Sequence, residues 1–119
     1  LSALNWWQVV DGRAYFEDLG DHAGELETSV MQHVAPALVR PLSEAGDGHA
    51  NAWRIAAFRD GWAWAPRPWT RVTADTGIGD PRAATVAKGA AYSAAVCERI
   101  AGFLAELAAT ELADLIDRP

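Results

Sequence analysis

Nine consecutive residues, Asp21 to Ser29, read "DHAGELETS" and place one histidine and three acids directly ahead of the apolar pair Val30-Met31. An imidazole among carboxylates can shuttle protons or ligate a metal, so His22, Asp21, Glu25 and Glu27 are the first candidates for chemistry. The same stretch also has a purely structural reading. Acids and hydroxyls suit a helix N-terminus, where free N–H groups and the positive end of the dipole stabilise negative charge. On that reading Asp21 or Thr28 is a cap, and Glu25 and Glu27 are first-turn acids facing water. Capping does not explain His22.

No HExxH, CxxC or HxH occurs, so the chain carries no self-contained metal motif; zinc, manganese or iron near His22 would need ligands from another segment. Trp6 and Trp7 are adjacent, and on a strand one ring would enter the core while the other lines a pocket. Large amphipathic rings also serve simply for burial in a core or interface. "DTGIGDP" sets glycines ahead of a helix, a geometry that can cradle phosphate. It matches neither the Walker pattern nor GxGxxG, and Asp80 would repel an anion, so a turn followed by a cap accounts for it better. His33 reads as a helix side chain, His49 as a loop residue, and Cys97 as a small core residue rather than a nucleophile.

The elements that must position these groups follow from hydropathy patterning. "LSALNWWQVV" is apolar without helical spacing and predicts a buried strand ending at Asp11-Gly12. Leu26, Val30, Met31 and Val34 recur at helical steps and predict a helix from about Ala23 to Ala35, ended by Pro36. Residues 41–52 are rich in Gly, Ser, Asp and Asn and read as a surface loop. The tryptophan-rich stretch from Trp53 to Trp69 is too broken by Gly61, Pro66 and Pro68 for a long helix and has room for a short strand or two. Asp80-Pro81 reads as a cap with proline at the first helical position. The long helix that follows has an apolar stripe of Val86, Ala90, Ala94, Cys97, Ile100, Ala101, Leu104 and Leu107, and continues or restarts over Glu111–Ile116. One strand, one helix, an irregular stretch and one long helix fit the α/β class with too few strands for a complete sheet.

At 119 residues, half of them apolar, the chain can form one modest domain and no more. The net charge of −6 and the scattering of the ten basic residues argue against nucleic acid and anionic membrane as partners. A lone cysteine excludes an internal disulfide and, with no apolar run long enough to span a bilayer, predicts a cytoplasmic protein. The opening at Leu1 reads like the interior of a larger or processed chain.

Taken together, "HAGELETS", "APALV" and "TGIGDPRAATVAKG", with "NWW" upstream, resemble the C-terminal half of the creatininase (creatinine amidohydrolase) family. The resemblance covers most of residues 1–119 and is least distinctive over Pro41 to Trp69. It implies a three-layer α/β/α fold with a mostly parallel sheet, of which this chain supplies the C-terminal portion. It further implies a site with two divalent metal ions (zinc, manganese or iron), hydrolysis of C–N bonds in cyclic amides, formamides or similar small substrates, and homo-oligomers, often hexamers. Carried over residue by residue, His22 stands at the proton-transfer histidine and Asp21 at the acid before it. Glu27 matches the acid of "ETS" as a metal ligand or the orienter of one. Trp7 is the implied aromatic wall of the substrate pocket, with Trp6 and Glu25 beside it. Creatininase has a tryptophan-aspartate pair shortly before its acid-histidine pair, whereas this chain reads "EDLGD", which speaks against creatinine itself as substrate. The family's glutamate-histidine-glycine and glycine-rich histidine motifs belong to an N-terminal half and do not occur here. The resemblance therefore implies a partner: that N-terminal half, as a separate or cleaved chain. Two other roles fit the same residues: a non-catalytic assembly subunit, and a peptide-trimming member of a peptide-derived cofactor pathway.

Overall fold

A computed structural model describes residues 1–116. Two helices organise it: α1, Glu25–Val34, and the longer α4, Val86–Ala109, which pack against each other. Between them lie two single-turn helices, α2 (Ala56–Arg59) and α3 (Trp69–Val72), and short 3-10 turns punctuate the connections.

The expected three-layer α/β/α architecture is not what the described residues form. They contain no strand and no sheet; the one β-like feature among them is an isolated antiparallel bridge between His22 and Ile78. The reason lies in where the backbone hydrogen bonds go. The apolar stretch Leu1–Val10, expected as a buried strand, satisfies its groups locally: Gln8 N–H donates to Asn5 O at 2.9 Å and Val9 N–H to Trp6 O at 3.3 Å, closing a 3-10 turn over Trp6–Gln8. Leu1, Leu4 and Trp7 are exposed. The possible strands between Trp53 and Trp69 are likewise absent, and "WTRV" curls into α3.

The helices fall close to their predicted bounds, but their starts differ. The N-cap of α1 is Gly24, which has no side chain to cap with; Glu27 Oε2 instead reaches back past the helix start and accepts from Ala23 N–H at 2.6 Å. Neither Asp21 nor Thr28 performs that role. Asp80 does cap, accepting from Arg82 N–H at 2.9 Å, but it caps the 3-10 turn Pro81–Ala83. α4 begins later, with Thr85 Oγ1 accepting from Lys88 N–H.

The core sits where α1 crosses α4. Phe16, Leu26, Tyr92 and Val96 are buried together, flanked by Trp6, Val9, Tyr15, Leu19, Val30 and Ile100. Tyr92 is fully buried, with the rings of Phe16, Tyr15 and Trp6 centred 5.3, 5.4 and 6.3 Å away in edge-on arrangements. Its hydroxyl donates toward the carbonyls of Trp7 and Val10 at 3.2 and 3.3 Å, tying the N-terminal segment to α4. The helices approach closely because Gly89 faces the Ser29 carbonyl, a place with no room for a Cβ. The buried face of α4 is thus Gly89, Tyr92 and Val96, one step off the predicted stripe. Val86, Cys97 and Leu104 of that stripe are exposed, so Cys97 is not a core residue.

The packing is open. The radius of gyration is 17.8 Å, where about 13.5 Å is usual for this length. The accessible surface is 8898 Å² against about 6300 Å² for a compact protein of this mass. Leu104, Leu112, Leu115 and Ile116 contribute to the excess. No helix among the described residues is long and apolar enough to cross a membrane.

Candidate functional site

Loop 17–24 and loop 73–80 meet edge to edge ahead of α1. His22 N–H donates to Ile78 O at 3.2 Å, and Ile78 N–H donates back to His22 O at 2.8 Å. The loops come this close because glycines stand at the junction: a Cβ on Gly79 would lie 2.5 Å from Gly20 Cα. Asp18 reinforces the joint, accepting from Gly20 N–H with one oxygen and from Asp80 N–H with the other. Ala23 and Thr76, one beside His22 and one facing it, both have left-handed backbones, with φ of 52° and 74°. Non-glycine residues are held in that region at a cost of the order of 1–3 kcal/mol, and such positions cluster at functional sites.

Beside this joint lies a cavity of about 520 Å³, within the size range of small-molecule sites. His22 and Glu27 both line it, with Trp6, Met31, Leu38 and Leu42 among the apolar wall residues and an Arg40–Glu44 ion pair at 2.5 Å also in the lining. The His22 ring is half-buried; its Nδ1 is 2.8 Å from the Thr76 carbonyl oxygen, and the ring centre is 4.8 Å from that of Trp69.

The other sequence candidates fall into different places. Asp21 adjoins His22 but turns toward Arg67, whose Nη1 donates to its Oδ1 at 2.7 Å; that guanidinium stacks over Trp69 at 4.5 Å. Trp6, not Trp7, lines the cavity, while Trp7 is about half exposed and stands outside it. Glu25 is also outside. It is fully buried behind the loop, accepting from Glu17 N–H at 2.9 Å, Asp18 N–H at 3.0 Å and the Lys88 ammonium at 2.5 Å. Burial pushes the Glu25 carboxyl up, but the Asp18 N–H, the Lys88 ammonium and the Glu17 N–H outweigh it and hold the pKa below the ordinary glutamate value. Its geometry is that of a tie between loop 17–18 and α4. The structure therefore brings His22, Glu27 and Trp6 together and sets Asp21 at the margin. Trp69, Thr76 and the 38–45 segment join them; Thr76 lies in the "DTGIGDP" stretch and Leu38 in "APALV", but neither is read from the sequence as a site residue.

The donor set bears on metal binding. Glu27 has one carboxylate oxygen beyond the one that accepts from Ala23 N–H, a donor that suits zinc, manganese or iron, and the ring nitrogen that His22 leaves open can serve a metal or carry protons, not both. Two donors do not close a site, and among the described residues no group of three His, Cys, Asp or Glu could hold a metal ion. These residues fit a metal only as contributors to a larger ligand set.

A cavity of this size that receives an imidazole from a glycine-rich loop joint and a carboxylate from the first turn of α1 has the form of a small-molecule site. A family profile for creatininase, described as creatinine amidohydrolase, matches residues 2–104. Among solved structures, that of a "putative creatinine amidohydrolase" from Bacteroides fragilis is 46% identical with a TM-score of 0.83, over 93% of this chain and 44% of its own. The chain belongs to the creatininase family. It spans less than half the length of that relative, and no curated protein matches it.

Proposed function

We propose that this chain is the C-terminal part of a creatininase-like amidohydrolase that hydrolyses the C–N bond of a small amide, a cyclic amide or formamide. The observation that carries the reading is the convergence of His22 and Glu27 on one cavity in a chain of this family. His22 takes a proton from the attacking water and delivers it to the nitrogen that leaves. Trp6 and the apolar wall exclude water and orient the substrate. A divalent metal, zinc, manganese or iron, would supply polarisation of the amide carbonyl, with Glu27 as the carboxylate this chain offers it.

The remaining ligands would come from an N-terminal half as a separate or cleaved chain. The 8898 Å² surface, roughly 2600 Å² more than a compact protein of this mass exposes, supports cover by such a half. The test is His22→Ala in the assembled protein, assayed on a panel of small cyclic amides and formamides with metal analysis alongside. Turnover should fall by about 10²–10⁴-fold with metal content nearly intact. A variant as active as its parent refutes the assignment.

A further inference from the structure

His22 is held by a backbone oxygen rather than by either acidic neighbour. Its Nδ1 lies 2.8 Å from the Thr76 carbonyl oxygen. Asp21 commits Oδ1 to Arg67, and Glu27 commits Oε2 to Ala23 N–H. A carbonyl oxygen can only accept, so the hydrogen sits on Nδ1, and in the neutral ring Nε2 carries the lone pair. Among the described residues Nδ1 is the ring nitrogen with a hydrogen-bond partner, which leaves Nε2 for a reactant. Free histidine in water prefers the opposite tautomer.

Thr76 is itself held from several sides. Its φ is 74°, its N–H donates to Thr73 Oγ1 at 2.5 Å, and two residues on the chain is pinned by the reciprocal His22–Ile78 pair. A left-handed threonine persists only where its surroundings impose it. Here the imposed conformation aims one carbonyl at one ring nitrogen.

We propose that Thr76 is the positioning residue of His22: its carbonyl, set by the Thr73 hydroxyl, locks the ring as the Nδ1–H tautomer and presents Nε2 as the atom that moves protons. This rests on the reading of His22 as the proton-transfer residue. In that step Nε2 accepts a proton from the attacking water, and the imidazolium keeps its Nδ1–H on Thr76. Nε2 then returns the same proton to the amide nitrogen as the C–N bond breaks. Asp21 is relieved of orienting the ring and instead anchors Arg67 over Trp69, which packs on the imidazole.

The test is the tautomer itself, read from two-bond 1H–15N correlations of the full chain with 15N-labelled histidine rings, above the pH range in which imidazoles titrate. His33→Gln and His49→Gln identify the His22 signals and show that the fold is kept. The expected result is a dominant Nδ1–H form in the parent and in Asp21→Asn. Thr73→Ala should drift toward the free-histidine preference, and Thr73→Ser should restore the parent ratio. In the assembled enzyme Thr73→Ala should lower kcat about 10- to 100-fold with KM little changed. A dominant Nε2–H form in the parent, a ratio indifferent to Thr73→Ala, or one that collapses in Asp21→Asn overturns the proposal. If the tautomer behaves as expected while His22→Ala retains full turnover, the proton-transfer reading fails and the positioning assignment stands.

Discussion

Replacing Lys88 by methionine isolates the buried charge on Glu25. The carboxylate has no exposed surface and three donors: two backbone N–H groups and the Lys88 ammonium at 2.5 Å. Removing one partner of a buried pair typically costs about 3–5 kcal/mol, because the other charge is left uncompensated. Here the two N–H groups stay in place and the Lys88 side chain is 29% exposed, which puts Lys88→Met at the lower end, about 3 kcal/mol. The Glu25→Gln/Lys88→Met double variant removes both charges and should recover about 1–2 kcal/mol of that loss. The effect also has a sign in pH. The Glu25 pKa is depressed in the folded chain, so its contribution is present above the unfolded glutamate value of about 4.3 and is lost as pH falls through the folded one. Without Lys88 the depression shrinks, and the stability gap between parent and Lys88→Met should narrow on acidification. Urea unfolding followed by tryptophan fluorescence, at neutral pH and well below the ordinary glutamate pKa, measures both quantities. A variant within about 0.5 kcal/mol of its parent, or a gap equal at the two pH values, refutes the reasoning.

Gly89→Ala places a methyl on the Ser29 carbonyl and must push α1 from α4; a loss of at least about 2 kcal/mol and roughly 10 °C in Tm is expected by calorimetry. Tyr92→Phe keeps the ring packing but removes the hydroxyl's bonds to the Trp7 and Val10 carbonyls; denaturant unfolding should show a cost of about 1–2 kcal/mol with an unchanged slope.

What could be read from the sequence was whatever is local. The 3.6-residue period over Leu26–Val34 and along Val86–Leu107 located α1 and α4, and "HAGELETS" singled out His22 and Glu27, which share the cavity. What could not be read depends on partners far along the chain. Thr76 meets His22 across 54 positions and Lys88 meets Glu25 across 63, so Glu25 looked like a pocket acid until its ammonium partner was in view. The strand expected at Leu1–Val10 failed for a related reason. Apolar content says that a segment wants cover, but a strand also needs a neighbour for its N–H and C=O groups, and these residues close a 3-10 turn instead. The same limit misplaced the face of α4: the apolar stripe read from Val86 to Leu107 stands one step from the face bearing Gly89, where α1 approaches.

The two sides of the cavity are made of different material. On the His22 side the frame is main chain: a reciprocal pair of backbone hydrogen bonds with Ile78, a carbonyl from Thr76 and a glycine junction. On the other side the lining is side chains, Leu38 and Leu42, carried on 3-10 turns. Exchanging those side chains reshapes what the cavity admits and leaves the frame untouched. On the proposed function, substitutions at Leu38 or Leu42 would therefore alter which amides are taken without disturbing the imidazole.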